Sequence, residues 1–503
     1  MNLEQQVAEF KELLERIGML TSAMSVMNFD SSTIAPKGGV QARAKRAGFF
    51  QMEVFNLTVS ETMKKSLEVI GANLDAVDQV TRSMYRLAKK SYDRATKTPP
   101  ELVKRLAELE EEAVAAWEIA KINDDFPSFA PYLKELIELQ KEVLKHRAEP
   151  GQNPYDVLLD DYEEGMTIPE YDKFFNQLKA TIVPLLKDIV ANGKPIETDF
   201  LYEPVSIETQ KKLSNLLAKK VGYDLNRGYI GEAPHPFCGG SHKSDIRITT
   251  TYHENDFIDS FYSIMHECGH AIYEQNIGDD IADTNLGGGV SMGIHESQSR
   301  FYENVVGRSL AFWESIIEEL KTFLPESFQN KTAHDFYEAA NKSQASLIRT
   351  EADELTYSLH ILIRYEIEKM LFTEENFDIN QLPAIWNAKY EEYLGITPPN
   401  DSQGILQDIH WAGASFGYFP TYALGSAYSA QLLAYMEKDL NVDELIRQGN
   451  IPAISEWLTK HIHQFGSLHT PNQLIHNIAG EKLNAKYYTD YLENKFRKIY
   501  QLD

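Results

Sequence analysis

Two histidines four residues apart, with a glutamate beside the first, can hold a metal ion and act on water: His266-Glu267-Cys268-Gly269-His270. Side chains at positions i and i+4 share one face of a helix, so both imidazoles can reach one ion. Glu267 is turned by about 100° from His266. That places its carboxylate beside the open coordination position, where a base for a metal-polarised water belongs. The apolar FYSIM before the motif and AIY after it describe a helix buried along one side. A catalytic zinc takes three protein ligands and leaves one position for water. Glu296, in HESQS near the start of the next helical run, is the candidate for the third. His295 is its rival, and only one of two adjacent helical positions can face the ion well. The competing structural reading of HESQS is a helix N-terminus with a glutamate favoured by the dipole. Cys268 points off the ligand face and reads as a packing residue. Gly287, Gly288 and Gly289 are followed by no Gly-Lys-Ser/Thr, so they read as a flexible connection and not as a phosphate cradle.

These residues need rigid elements to hold them. Apolar residues recur at three and four positions from the N-terminus to about residue 200, as in PELVKRLAELEEEAVAAWEIAKI and APYLKELIELQKEVLKHRAE, which predicts long helices separated by a break at NDDFPSFAP. Between roughly 225 and 255, Gly, Pro and His cluster, and SDIRITTTY predicts a strand of a small sheet. Helices are expected again over DFIDSFYSIMHECGHAIYEQN, after the loop TNLGGGVSMG in HESQSRFYENVVGRSLAFWESIIEELKTFL, and through ASLIRTEADELTYSLHILIRYEIEKML. The Gly- and aromatic-rich GILQDIHWAGASFGYFPTYALG interrupts the last helical part. No linker, fixed-period repeat or low-complexity segment stands out, so residues 1–503 read as one peptidase domain, helical over about 1–200 and carrying its site over about 230–430.

Composition narrows the function. The chain is 43% hydrophobic and 25% charged, the balance of a globular protein with a large core, and its formal charge of −26 opposes binding to nucleic acid. Two cysteines, Cys238 and Cys268, make no disulfide framework, and the start is an amphipathic helix without an apolar leader. A cytoplasmic location is therefore expected. No apolar run approaches the length of about 18–20 residues that spans a bilayer.

The motifs taken together resemble the carboxypeptidase Taq family of metallopeptidases. In order, they are HPF at 235–237, DIRIT at 245–249, HECGH at 266–270, HESQS at 295–299, IRTEAD at 348–353 and GILQDIHW at 404–411. The resemblance implies a mainly α fold: a large helical metallopeptidase with a deep central groove and a small β-sheet beside the site. It implies a metal-dependent carboxypeptidase that releases single C-terminal residues with broad specificity, usually as a homodimer. It assigns the metal to His266, His270 and Glu296, and the base to Glu267. One catalytic zinc per chain is expected, and cobalt would suit the same ligands.

A carboxypeptidase needs a cation for the terminal carboxylate. Arg349 in IRTEAD is the first candidate and Arg247 in DIRIT the second, against internal salt bridges to Asp353 and Asp245 respectively. Donors for the negative charge of the tetrahedral intermediate are sought among His235, His410, Tyr418 and Tyr422. Asp245, Arg247 and Thr249 share one strand face, and an extended substrate could pair with that strand if it forms an edge. Two other readings compete: a zinc oligopeptidase or endopeptidase on the same core, which needs no carboxylate clamp, and a helical peptide-binding protein without catalysis.

Overall fold

A computed structural model describes residues 2–502, of which about two thirds are helical, with a single three-stranded sheet. The fold is mainly α. Two compact units emerge, each drawn from three stretches of chain: residues 1–96, 197–340 and 432–482 form the first, and residues 97–196, 341–431 and 483–503 the second. Among the described residues no helix is long and apolar enough to cross a membrane.

In the first unit the sheet contains β1 (Gly228–Glu232), β2 (Cys238–His242) and β3 (Asp245–Thr250) in the order β1-β3-β2, with β1 parallel and β2 antiparallel to β3. Ile246 and Ile248 are buried, and the alternation of DIRIT produces this. The expectation that this strand could present an edge to substrate is not met. β3 is the central strand, its main chain paired on both sides. The carbonyls of Gly240 and Ser241 on β2 accept hydrogen bonds from Ser25 and Ser22 of the first helix, Leu3–Thr33.

Behind the sheet lies the helix Phe257–Gln275, which carries HECGH. Asp256 caps its start by accepting from the Asp259 N–H, and at its end Arg227 donates to the Gln275 carbonyl. The cation there also suits the negative end of the helix dipole. Ser260 in its first turn donates to Gln210, whose amide holds the Val205 and His253 carbonyls. On the opposite side Phe261 stacks on Trp313, and Trp313 on Phe336, at ring separations of 5.1 and 4.8 Å.

The helical run after HESQS divides. An α-helix, Met292–Arg300, is capped by Ser291 and passes into a π-helical stretch, Phe301–Gly307, before a new α-helix begins at Leu310. In the second unit the break between the helices Pro100–Asn123 and Phe126–Arg147 is tighter than the sequence suggests, because Asp124 takes a left-handed φ of 56° and Asp125 caps the next helix at once. The helix expected through IRTEAD starts only at Tyr357. Asp353 accepts from the Leu355 and Thr356 N–H groups and from the Gln344 N–H. Such side-chain bonds offer the backbone an alternative to helix, so Arg349 sits on a short 3-10 turn, Arg349–Glu351.

Candidate metal centre

The helices Phe257–Gln275 and Met292–Arg300 pack with their backbones close together. A Cβ on Gly269 would stand 2.5 Å from the Gln298 carbonyl oxygen and 2.6 Å from the Ser299 Cα, so glycine is what permits the approach. Across this contact the Nε2 atoms of His266 and His270 lie 3.6 and 3.5 Å from Glu296 Oε2. Among the described residues these three form the one cluster with metal-ligand spacing. A tetrahedral ion with bonds of about 2.0–2.2 Å sets its donors about 3.3–3.6 Å apart. Two imidazoles and a carboxylate at this separation fit a zinc-like divalent ion.

The surroundings hold Glu296 and His270 in the state a ligand needs. Glu296 keeps Oε2 for the imidazoles, because Arg300 Nε donates to Oε1 at 2.8 Å. Burial works to raise the Glu296 carboxyl, and Arg300 and the imidazoles outweigh it, holding the group ionised well below the ordinary range. His266 Nδ1 stands 2.9 Å from Glu303 Oε2, and Arg300 and Arg308 donate to Glu303. Against burial, these arginines and His266 hold Glu303 ionised too. Burial lowers His270 to about 3, which leaves it neutral. His266 is pulled upward instead, since Glu296 and Glu303 together outweigh burial.

Glu267 is buried, and its Oε2 has no hydrogen-bond partner among the described residues. Burial pushes its carboxyl up to about 7. An unpartnered buried oxygen is costly unless a ligand or water completes it. His295 has no nitrogen left for an ion: Nδ1 meets His270 Nδ1 at 2.6 Å and Nε2 meets Glu274 at 2.8 Å. Cys268 is fully buried and burial raises its thiol, as fits a packing residue. The glycine loop is packed and not a loose connection. A Cβ on Gly287 would meet the Ala282 carbonyl at 2.2 Å, and one on Gly289 would meet the His295 ring at 2.5 Å.

Elsewhere in the first unit, Asp245 grips Arg247 through both carboxylate oxygens at 2.7 and 2.8 Å, and the guanidinium lies over the Phe29 ring. His235 is exposed in the turn between β1 and β2. In the second unit Arg349 is buried and pairs with Asp408, not Asp353: Nε and Nη2 donate to Oδ1, and Nη1 donates to Tyr357. Arg364 takes the other oxygen of Asp408. Two guanidinium groups thus share one carboxylate. His410 joins it, with Nε2 3.5 Å from the Tyr422 hydroxyl and ring contacts to Tyr418, Phe419 and Tyr422. Burial, with both arginines, lowers His410 to about 4, and its buried Nδ1 has no partner among the described residues. Glu368 fixes the loop behind: it accepts from the Trp411 indole, the Gly417 N–H and the Tyr155 hydroxyl.

Sequence reasoning missed Arg300 and Glu303, although positions +4 and +7 from Glu296 share its helix face. It also missed Glu274, at +4 from His270. Asp408 and Gln407 stood within a quoted motif, but nothing in their spacing to Arg349 indicated that they bind it. Arg308 follows the π-helical stretch, where helix periodicity no longer indicates direction.

Comparison with known proteins decides the family. The profile of the carboxypeptidase Taq (M32) metallopeptidases matches residues 9–496. The chain belongs to that family. It is accordingly a metallocarboxypeptidase, a hydrolase of peptide bonds. Carboxypeptidase 1 of Bacillus subtilis is 43% identical over 503 residues, the full length of both chains, and thermostable carboxypeptidase 1 of Thermus thermophilus is 36% identical, covering 98% of this chain and 99% of its own. The crystal structure of the M32 carboxypeptidase from Deinococcus radiodurans matches with a TM-score of 0.94 at 31% identity, covering 99% of this chain and all of the other.

Proposed function

We propose that this metallocarboxypeptidase works with one zinc ion held by His266, His270 and Glu296, and that it removes single residues from free C-termini with broad side-chain tolerance. The carrying observation is the convergence of these three donors beside the unpartnered oxygen of Glu267. A zinc ion bound there would polarise the scissile carbonyl and acidify a water; cobalt would suit the same ligands. Glu267 takes the proton of the attacking water and delivers it to the leaving amine. His410, Tyr418 and Tyr422 are proposed to stabilise the developing oxyanion, with His235 as a further candidate. The partnerless Nδ1 of His410 supports its part.

Arg349 is proposed to bind the terminal carboxylate. Its support is that Arg349 shares the Asp408 carboxylate with Arg364, whereas Arg247 is paired with Asp245 through both carboxylate oxygens. Asp245 and Arg247, held together as one pair, stay the second candidates for contact with the substrate. Arg349→Lys is expected to lower kcat/KM by about 10–100-fold, as one charge-assisted bond of about 1.5–3 kcal/mol is lost. Arg247→Lys is expected to cost less, and kinetics on one dipeptide series would compare them. The reverse order would move the clamp to Arg247.

The overall reading is tested by incubating the metal-loaded protein with a mixed peptide set and identifying products by mass spectrometry. Residues are expected to leave singly from the C-terminus, and C-terminally amidated peptides to remain intact. Amidated peptides cut at the same rate would defeat it.

One peptidase domain over 1–503 is proposed, supported by the interleaving of chain segments between the two units. A homodimer is also proposed. Phe49, Met52 and Phe55, exposed at 62%, 57% and 47% on the helix Val40–Thr58, support a partner surface there. The free thiols of Cys238 and Cys268 support a cytoplasmic location.

A further inference from the structure

We propose that Glu274 and His295 are positioning residues for the metal, forming with His270 a hydrogen-bonded chain that fixes which nitrogen of His270 is free to bind. The inference rests on His270 being a ligand. A coordinating Nε2 carries no proton, so the proton of neutral His270 must sit on Nδ1. That N–H points at His295 Nδ1, 2.6 Å away, which must then accept. The remaining proton of His295 therefore lies on Nε2 and is donated to Glu274 Oε1 at 2.8 Å. Glu274 Oε1 also accepts from the Gly289 N–H at 2.9 Å. Every proton in the chain is determined by the demand at the ion.

The geometry looks built for this order. His295 lies between the rings of His270 and Tyr273, at 4.7 and 5.1 Å, and Gly289 is the only residue type that leaves space for it. On the far side His295 and Glu274 line a cavity of about 230 Å³ with Cys238, Gly240 and His242. The two ligand histidines are thus supported differently. Glu303, behind His266, is neutralised by Arg300 and Arg308. Glu274 pairs with no Lys or Arg among the described residues, so its charge bears on His270 through His295 alone.

The test measures Zn(II) affinity of the full chain by competition with a chromophoric chelator. His295→Phe keeps a ring without hydrogen bonds, and Glu274→Gln keeps shape without charge. Losing such a partner typically costs about 10- to 100-fold in metal affinity, and that loss is expected here with the Tm of the metal-free protein unchanged. In the Co(II)-loaded protein, the exchangeable Nδ1–H resonances of His266 and His270 are both expected in the parent. His295→Phe should remove only the second. If His295→Phe does not fold, Glu274→Gln decides, with the His270 Nδ1–H resonance expected to move and that of His266 to stay. Affinity within twofold of the parent and both resonances unmoved would overturn the chain. Parent-like Zn(II) affinity in His270→Ala would instead show that His270 is no ligand, and would remove the inference together with the site it rests on.

Discussion

Glu267→Gln is expected to bind zinc as the parent does and to lose about 10²- to 10⁴-fold in kcat, the usual contribution of a positioned general base. The side chain keeps its volume, so the buried packing around Cys268 and Gly269 is undisturbed. The three donors at 3.5 and 3.6 Å are separate side chains and remain. What disappears is the carboxyl oxygen that has no partner among the described residues and can exchange a proton with water. The change therefore falls on turnover and not on assembly. Metal titration beside steady-state kinetics would distinguish the two, with His266→Ala as the variant that should lose the ion. Parent-like turnover in Glu267→Gln would remove the base assignment.

Gly269→Ala is expected to damage stability and metal binding together. The added carbon would lie 2.5–2.8 Å from three backbone atoms of Gln298 and Ser299, and backbone cannot rotate away as a flexible side chain can. The two helices must part, at an overpacking cost of about 1–3 kcal/mol. His266 and His270 stand on one of these helices and Glu296 on the other, so the same displacement opens the donor triangle. Tm and Zn(II) affinity should fall together. Gly288→Ala, in open space on the intervening loop, is the matched control and should change neither. Zinc bound by Gly269→Ala with parent affinity would refute the close-contact account.

The legible part of the site lay where chemistry follows helix periodicity. His266, Glu267 and His270 stood out as candidates because ligand geometry and the 3.6-residue turn impose the same spacing, while Glu296 rested on the motif that opens the next helix. The rest depended on contacts between segments remote in sequence. Asp408 meets Arg349 across 59 positions, and no pattern within IRTEAD foretells it; the adjacent Asp353 looked the natural partner and instead caps a turn. The central place of β3 was equally hidden, since a strand's alternation reports which face is buried and says nothing of its neighbours. The glycines at 287–289 read as freedom because composition alone cannot distinguish a mobile loop from one in which the missing Cβ atoms of Gly287 and Gly289 make room for neighbours.

The interleaving of the chain bears on how the protein is made. The unit that opens at Lys97 is completed only by the segment 483–503, whose helix Ala485–Tyr500 ties Lys495 to Glu354 and the Tyr500 hydroxyl to Ser343. The unit that carries the proposed metal ligands likewise waits for residues 432–482, among them His463, which meets Gln298 beside Glu296. During synthesis at about 5–20 residues per second, the ligand helices emerge well before the segments that complete their unit. For that interval the nascent chain presents apolar helix faces still lacking their native cover, and neither unit can be finished until residues 432–503 have emerged.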